Sequence, residues 1–344
     1  MTLTGYFSPD GGTTNLGAFN TIGSGDAGDW DSSVPNDPFD AFASPGVSQP
    51  VSANDITVMD AIGWNLTGSS VPSATVPVPS GVTIFAVTSA LAGVQGTSAL
   101  TGKGALATIV ETGGLITDAF TYTLAGSGAG SFTLSTVNSE ATLSAGNSNV
   151  AGAASGRLYA LTVTVNDTTA GKSSAAFPAD VVVGVSGGDT IQLATLIGAL
   201  AAATPTFVYG LGGNDTILGT GMTGPLTIAG GAGADTLTGG SGSNTYVYGA
   251  VAESTQSAMD IITNFQVAVD LIDLTGLGVG LTYASQAGPA ATTLAAHSVN
   301  WQISGANTLV FVNTSAAAES LSATDMKIEL LGAVPLTTAN IVHL

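Results

Sequence analysis

Four nine-residue units with glycine in a fixed phase constrain this chain more than any other feature. They lie between Gly210 and Val247 and read GLGGNDTIL, GMTGPLTIA, GGAGADTLT and GGSGSNTYV, with Gly219-Thr220 inserted after the first. Glycine occupies positions one and four of every unit, and an aliphatic or aromatic residue occupies position eight. Glycine tolerates the positive φ of tight turns, and three residues suffice for a short strand with one inward side chain. The repeat therefore predicts a parallel β-roll.

Position six of the units points to a ligand. It is Asp in the first and third units, a short polar Asn in the fourth and Leu in the second. A glycine-rich turn that aims backbone carbonyls and one carboxylate inward offers the all-oxygen shell that Ca²⁺ prefers. The pattern G-G-x-G-x-D-x-U-x resembles the RTX repeats of proteins exported by Gram-negative type I secretion, and it predicts calcium as the cofactor.

The family resemblance implies which turns are neighbours. In RTX proteins two nonapeptides make one coil, so turns on one side of the roll come from alternate units. Asp215 and Asp235 would then share one side, while Leu226 and Asn244 stand on the other side where Asp is expected. We expect one calcium site between the turns that end at Asp215 and Asp235, and a weak or empty site opposite.

The candidate ligands fall into two groups. The turns of the first site supply Gly210, Gly212, Gly213, Asn214, Asp215, Gly230, Gly231, Ala232, Gly233 and Asp235. Weaker candidates are Asp189, Gly239, Gly242, Asn244, Asp270 and Asp273. Asp189 belongs to GVSGGDTIQ, which fits the phase but stands apart from the array, so it predicts a half-site at most. For Asp270 and Asp273, turn capping is an equally good interpretation.

Charge and composition exclude several classes of partner. The chain has 344 residues with 23 acids, four basic residues and a net charge of −19. Such a chain repels nucleic acid and anionic lipid, since both need cationic contacts. It contains no cysteine, so calcium is the available staple. Metal that is present outside the cell but scarce inside could couple folding to export, a hypothesis that the resemblance supports.

The N-terminal segment, residues 1–67, predicts a small irregular and helical region. Its last part, SANDITVMDAIGWNL, resembles the downstream end of metzincin-like secreted metalloprotease domains. No His precedes His297, so the segment cannot supply a zinc site, and the chain as given is predicted not to be an enzyme. Asp55 and Asp60 are interpreted as a cap and a solvated helix face, and Met59 as a packing residue.

Residues 68–80 read as a Pro/Ser/Thr linker, and residues 81–183 as an antiparallel β-sandwich. Strands alternate with turn signals, and AFTYTLAGSGAGSFTLS followed by GRLYALTVTVND is similar to cadherin-like and immunoglobulin-like repeats of bacterial surface proteins. The core residues expected in this module are Phe132, Tyr159, Leu161, Val163 and Val165. The cadherin calcium motifs are missing, so no calcium is expected in the sandwich.

The last two regions are predicted to be the β-roll, residues 184–249, and its β-rich cap, residues 250–344. Residues 193–209 read as a short helix followed by a strand. MDIITNFQVAVDLIDL resembles the serralysin-like cap segment, and VNWQISGANTLVFVNT predicts a hairpin. The tail LTTANIVHL is similar to type I secretion tails. No secretory leader and no membrane span are visible, since the apolar run 193–204 is too short.

Together these features predict a mainly β, extracellular, calcium-binding protein with a non-catalytic metalloprotease remnant. Its partners would be calcium and the type I secretion machinery, with cell-surface or self-association partners also open. Two alternatives remain at this point. One is a structural or adhesive surface protein, such as an S-layer-like or biofilm component. The other is the C-terminal part of a secreted zinc metalloprotease whose catalytic half is missing from the sequence.

Overall fold

The computed structural model describes residues 6–7, 17–18, 81–86, 99–100, 105–112, 119–137, 139–146, 150–169, 171–198, 204–283 and 292–343. The chain divides into two compact units. One comprises Met1–Gly81, Glu111–Thr121 and Val165–Ala175, and the other Val82–Val110, Tyr122–Thr164 and Ala176–Leu344. The described part is mainly β, with a single α-helix, α1, at Leu193–Ile197. No helix in these described stretches is long and apolar enough to cross a membrane.

The N-terminal interpretations fall largely outside the described residues. The expected helix before residue 67 and the linker at 68–80 both lie there, and they stay predictions. What is described before residue 81 is one antiparallel pair, in which β1 (Tyr6–Phe7) faces β2 (Gly17–Ala18).

The strands described between residues 81 and 178 pair antiparallel with one another or with their neighbours. They are β3 (Gly81–Ala86), β4 (Ala99–Leu100), β5 (Ala105–Thr112), β6 (Phe120–Gly126), β7 (Phe132–Val137), β8 (Glu140–Ala145), β9 (Val150–Ala151), β10 (Arg157–Tyr159), β11 (Leu161–Asp167), β12 (Lys172–Ser173) and β13 (Phe177–Pro178). One sheet has the order β3-β5-β8-β7, another β12-β11-β13 with β6 beside β11. All five expected core residues are buried. The cadherin-like or immunoglobulin-like topology stays a prediction.

Two parallel sheets make the roll. The first sheet contains β14 (Asp180–Val183), β16 (Thr206–Tyr209), β18 (Leu226–Ala229), β20 (Asn244–Val247), β22 (Leu271–Asp273) and β29 (Ile341–Val342), and β10 pairs with β14 at its edge. The second sheet contains β15 (Thr190–Gln192), β17 (Thr216–Leu218), β19 (Thr236–Thr238), β21 (Asp260–Ile262) and β28 (Met326–Leu330). The chain alternates between them, so each coil takes two units, as predicted.

Position eight of each unit fills the interior of the roll. Ile217 and Leu237 point inward from the second sheet, and Ile228 and Tyr246 from the first. All four belong to one buried cluster with their neighbours along the roll. Successive strand residues face opposite sides, so only the central residue of a three-residue strand can reach this core.

The strand that the sequence predicts after α1 is β16, at Thr206–Tyr209.

The roll begins earlier than the sequence indicates. The strand Asp180–Val183, predicted to close the sandwich, pairs in parallel with β16 and is the first strand of the roll. Its four residues are all buried, because the inward side chain of Val182 enters the roll core while Val181 and Val183 pack against the antiparallel sheets. Apolar residues on both faces suit either assignment, so the sequence does not distinguish them.

The cap extends the second sheet and then returns to the first. The cap adds β23 (Thr282–Tyr283), β25 (Ser298–Ser304) and β26 (Asn307–Asn313) to the second sheet, which continues in the order β21-β28-β26-β25-β23. Two further cap strands, β24 (Thr293–Leu294) and β27 (Glu319–Ser320), pair with each other in a separate antiparallel sheet. The predicted hairpin is confirmed, since β25 and β26 pair antiparallel around Gly305 and Ala306. Pairing of β28 and β29 with the roll covers edges that would otherwise lack partners.

Candidate metal centre

Each coil of the roll has two turns, which form two stacked edges. The turns from the first sheet to the second, residues 184–189, 210–215, 230–235 and 248–260, are called here the carboxylate edge. The turns leading back, residues 219–225, 239–244 and 263–270, are called the amide edge. The parallel register stacks equivalent positions directly above one another, since each strand pairs with the strand one coil away.

Four aspartates form a ladder along the carboxylate edge. The backbone N–H of Asp189 donates to Asp215 Oδ1 at 2.8 Å, and that of Asp215 donates to Asp235 Oδ1 at 2.8 Å. The N–H of Asp235 donates to Asp260 Oδ1 at 2.9 Å. Asp215, Asp235 and Asp260 therefore each use one oxygen to accept from the backbone of the preceding coil, which fixes their positions in the stack.

The second oxygen of each ladder aspartate in the last three turns is buried, and at Asp260 the Tyr248 side chain also interacts with the carboxyl group. Within the described residues, Oδ2 of Asp215, Asp235 and Asp260 is buried and makes no hydrogen bond that meets geometric criteria. In Asp189 the unpartnered oxygen is Oδ1, because Val185 N donates to Oδ2. The four side chains are at most 2 % exposed. A buried acceptor without a donor costs about 1–3 kcal/mol, and more if it is charged.

Glycine at position one leaves space for these oxygens. A Cβ added at Gly210 would collide with Asp215 Oδ2 and with the carbonyl oxygen of Gly230, and one at Gly230 would collide with Asp235 Oδ2. At Gly184 an added Cβ would meet Asp189 Oδ2, the oxygen that accepts from Val185 N. Carboxylate and carbonyl oxygens thus gather around each first glycine, where any other residue would fill the space.

The electrostatics of the ladder are unfavourable without a positive charge. Burial, with a smaller contribution from the charge of Asp189, raises the pKa of Asp215 to about 6 although the Asp189 N–H donates to it. Burial raises the pKa of Asp235, and the charges of Asp215 and Glu253 add to the rise. Burial also raises the pKa of Asp260, and the charges of Asp235 and Glu253 add to it. The sequence places no Lys or Arg between Ser173 and Met326 to offset these charges. A cation from solvent would do so.

The donor set fits a hard divalent cation. Among the described residues, no three acidic or imidazole side chains converge on one point, so a gap between coils offers two carboxylates at most. The other ligands would have to be backbone carbonyls of the glycine turns. Calcium accepts six to eight oxygens of this mixed kind, whereas zinc prefers nitrogen and sulfur. Asp189, Asp215, Asp235 and Asp260 would hold calcium between successive coils.

The ligands expected for the first site lie in two adjacent turns. Gly212 and Ala232 form a parallel bridge, and Gly213 N donates to the Ala232 carbonyl at 2.8 Å. Asn214 Oδ1 accepts from Ala234 N at 3.0 Å. Gly231 and Gly233 have positive φ, and a Cβ at Gly233 would collide with the Gly213 carbonyl oxygen. The adjacent turns are therefore packed backbone to backbone, and their role as metal ligands stays a prediction.

Asp189 and Asp260 belong to the ladder, although the sequence alone does not place them in the main site. Asp189, interpreted as a half-site at most, donates its N–H to the next aspartate as Asp215 and Asp235 do, because β15 pairs in parallel with β17 as β17 pairs with β19. Asp260 was assigned to the cap, yet it stands one coil beyond Asp235. Its signal is the local sequence DII, which parallels DTI and DTL, but the longer turn from 248 to 259 breaks the nine-residue phase.

The weaker candidates after residue 238 have other partners. Gly239, Gly242, Asn244 and Asp270 all lie on the amide edge, where Asn244 N donates to Asp270 Oδ1 at 2.9 Å. Asp270 Oδ2 accepts from Gln266 N at 2.8 Å, so both its oxygens are used. Asp273 Oδ1 accepts from Thr275 N and Oγ1 at 2.9 and 2.7 Å, which is a turn cap.

A parallel roll with glycine turns and stacked aspartates defines the RTX class of repeat domain. A family model for the Peptidase M10 serralysin C-terminal region matches residues 87–342, and the chain belongs to this family. Comparison with curated proteins finds no match.

Among solved structures, the chain is similar to two repeat subunits of one enzyme. The AlgE6R2 subunit of the Azotobacter vinelandii mannuronan C5-epimerase is 25% identical, with a TM-score of 0.32, over 47% of this chain and 91% of that chain. The AlgE6R3 subunit of the same enzyme is 21% identical, with a TM-score of 0.19, over 47% and 76%.

Proposed function

We propose that residues 180–342 form a β-roll that is held folded by calcium bound along the carboxylate edge. The observation that carries this proposal is the ladder of four buried aspartates, each with one oxygen that lacks a donor within the described residues. Calcium between Asp189 and Asp215, between Asp215 and Asp235, and between Asp235 and Asp260 would pair these oxygens. This gives three gaps, whereas the sequence alone predicts one good site.

Calcium would act on the folded state rather than on a reaction. A ligand that binds only the folded chain stabilises it by about 2.7 kcal/mol at 100-fold saturation, so three gaps together could decide whether the roll is folded. Without metal the carboxylates repel one another and the chain carries a net charge of −19. Folding would then follow the calcium concentration of the compartment.

We further propose that the chain is exported by a type I system and folds outside the cell. Membership of the serralysin C-terminal family supports this, since domains of that type are secreted. The family also favours the C-terminal part of a secreted metalloprotease over an S-layer-like or adhesive protein. On either assignment the region that matches the family is non-catalytic. An extracellular setting supplies the calcium that the ladder needs.

A calcium titration tests the proposal. The chain, prepared with a chelator, is titrated with Ca²⁺ and then with EDTA while circular dichroism and calorimetry follow folding. We expect cooperative gain of β-structure and a higher unfolding temperature with calcium, both reversed by EDTA. Magnesium at the same concentration is the control, since it demands a smaller octahedral shell. A response that is flat to calcium, or equal for both ions, contradicts the proposal.

A further inference from the structure

The two edges of the roll share one hydrogen-bonding plan. On the amide edge, Asn244 N donates to Asp270 Oδ1 at 2.9 Å, as Asp235 N donates to Asp260 Oδ1 at 2.9 Å on the carboxylate edge. Within its own turn, Asn244 Oδ1 accepts from the N–H four residues upstream at 2.8 Å, as Asp189 Oδ2 does at 2.6 Å. Both edges therefore share the backbone bond to the next coil, and the own-turn bond of Asn244 has its counterpart at Asp189.

The edges differ in the remaining atom of that side chain. Asn244 Nδ2 donates to Asp270 Oδ1 at 2.8 Å, to the Gly242 carbonyl at 3.0 Å and to the Gly240 carbonyl at 3.3 Å. One carboxylate of the next coil and two turn carbonyls are the kinds of oxygen that surround the unpartnered aspartate oxygens opposite. A Cβ at Gly239 would lie 2.7 Å from Asn244 Nδ2, so this nitrogen also faces the first glycine of its turn.

We propose that Asn244 Nδ2 on the amide edge takes the place that a divalent cation takes between two carboxylates, so this edge closes without metal. The amide supplies N–H donors to oxygens that a cation would otherwise coordinate, and it adds no charge beside Asp270. Aspartate at position 244 would remove the donor, pair a second carboxylate with Asp270 and create a calcium site there.

Neighbouring amides complete the closure of this edge. Asn264 Nδ2 donates to the Gly239 carbonyl at 3.0 Å, and Gln266 Nε2 donates to the Gly240 carbonyl at 2.9 Å. Asn340 Nδ2 donates to the carbonyls of Val267 and Asp270 at 2.8 and 3.1 Å. Carbonyls of two successive turns, residues 239–244 and 263–270, are thus bound by side-chain amides. The amide edge is a metal-independent staple built from Asn and Gln.

The test converts one edge into the other. Calorimetric titration of the full chain with Ca²⁺ compares the wild type with Asn244→Asp, and urea unfolding is measured in EGTA and in calcium. We expect Asn244→Asp to bind one additional calcium equivalent, to unfold at lower urea in EGTA and to recover its midpoint in calcium. Adding Asp270→Asn to Asn244→Asp should abolish the additional equivalent. Ala306→Asp, in the exposed hairpin turn, adds a charge away from both edges and should bind none.

Several outcomes overturn the inference. They are an unchanged calcium stoichiometry for Asn244→Asp, an additional equivalent that survives Asp270→Asn, or a variant that stays unfolded at millimolar calcium. Asn244→Ala adds no charge, and it should lower the urea midpoint equally with and without calcium. An unchanged midpoint for this variant contradicts the staple. The wild-type stoichiometry is read separately, so a wild type that binds no calcium refutes the proposed function and leaves this inference standing.

Discussion

The two edges of the roll solve one problem in two ways. On both, a backbone N–H donates to a carboxylate of the next coil, and a second polar atom of the position-six side chain is left inside the turn. On the carboxylate edge that atom is an aspartate oxygen without a donor in the described residues. On the amide edge it is Asn244 Nδ2, which donates to three oxygens.

The comparison shows that the residue type at position six, Asp or Asn, determines whether a turn of the repeat needs an external cation. Stacked carboxylates repel one another unless an external cation neutralises them. The stability of the carboxylate edge therefore depends on the cations in the solvent. Amides satisfy the turn carbonyls internally, and both oxygens of Asp270, the carboxylate of this edge, already accept hydrogen bonds. One protein can therefore combine a permanent edge, which preserves the register of the coils, with an edge that, on the proposal above, would follow calcium.

The largest effect is expected at Asp235, which is shared by two gaps. Asp235→Asn should lower the free energy of unfolding in calcium by about 5 kcal/mol, two occupied gaps at about 2.7 kcal/mol each. In EGTA the same variant should be more stable than the wild type, because it removes a buried charge from the ladder. Urea unfolding in both buffers measures this inversion. Asp273→Asn is the control, since Asp273 caps Thr275 outside the ladder, and an equal loss there would refute the assignment.

A methyl group added at Gly210, the first glycine of its turn, should destabilise the carboxylate edge by steric collision alone. Gly210→Ala places a Cβ against Asp215 Oδ2 and the Gly230 carbonyl, and should cost about 1–3 kcal/mol as overpacking. Calcium affinity should fall with it. Gly187→Ala, in a turn of the same edge, meets nothing within 4 Å and should change stability by less than about 0.5 kcal/mol. Equal effects of the two variants in thermal unfolding would remove the steric argument.

A smaller effect is expected in the pH dependence of stability, through Asp180. Asp180 pairs with Thr206 in the first sheet, and the same register continues to Leu226 and Asn244, at the strand ends away from the carboxylate edge. Burial raises the pKa of Asp180 from 3.8 to about 6. The folded state then holds a proton that the unfolded state releases, so this stability is full below pH 3.8 and is lost as the pH rises through 6.

Asp180→Asn should flatten this part of the calcium-free profile by about 1–2 kcal/mol between pH 4 and pH 6.5. Urea unfolding in EGTA at several pH values measures the slope. The ladder aspartates add slope of the same sign, which remains in the variant and should disappear when calcium is present. A variant profile as steep as that of the wild type would contradict the role given to Asp180.

The sequence alone could predict the coil and the neighbouring placement of two aspartates. Glycine phase determines where turns fall, and the alternation of units places Asp215 with Asp235 and Leu226 with Asn244. Because position eight is apolar in every unit, the roll core could also be predicted. The cap hairpin followed from turn chemistry around Gly305.

Other features depend on pairing between distant segments. Asp260 joins the ladder across a long turn, and β14 joins the roll although its apolar residues suit a sandwich equally well. A sequence also does not show which side-chain atoms have hydrogen-bond partners. Asn244 looks like a defective calcium ligand until its three acceptors are known.

The most direct test is to locate the ions. Crystals grown with calcium and replaced with terbium would give an anomalous difference map that shows each bound cation. The account predicts peaks between successive aspartates of the carboxylate edge, next to Asp215 and Asp235, and no peak between Asn244 and Asp270. A peak on the amide edge, or a carboxylate edge without any, would contradict it.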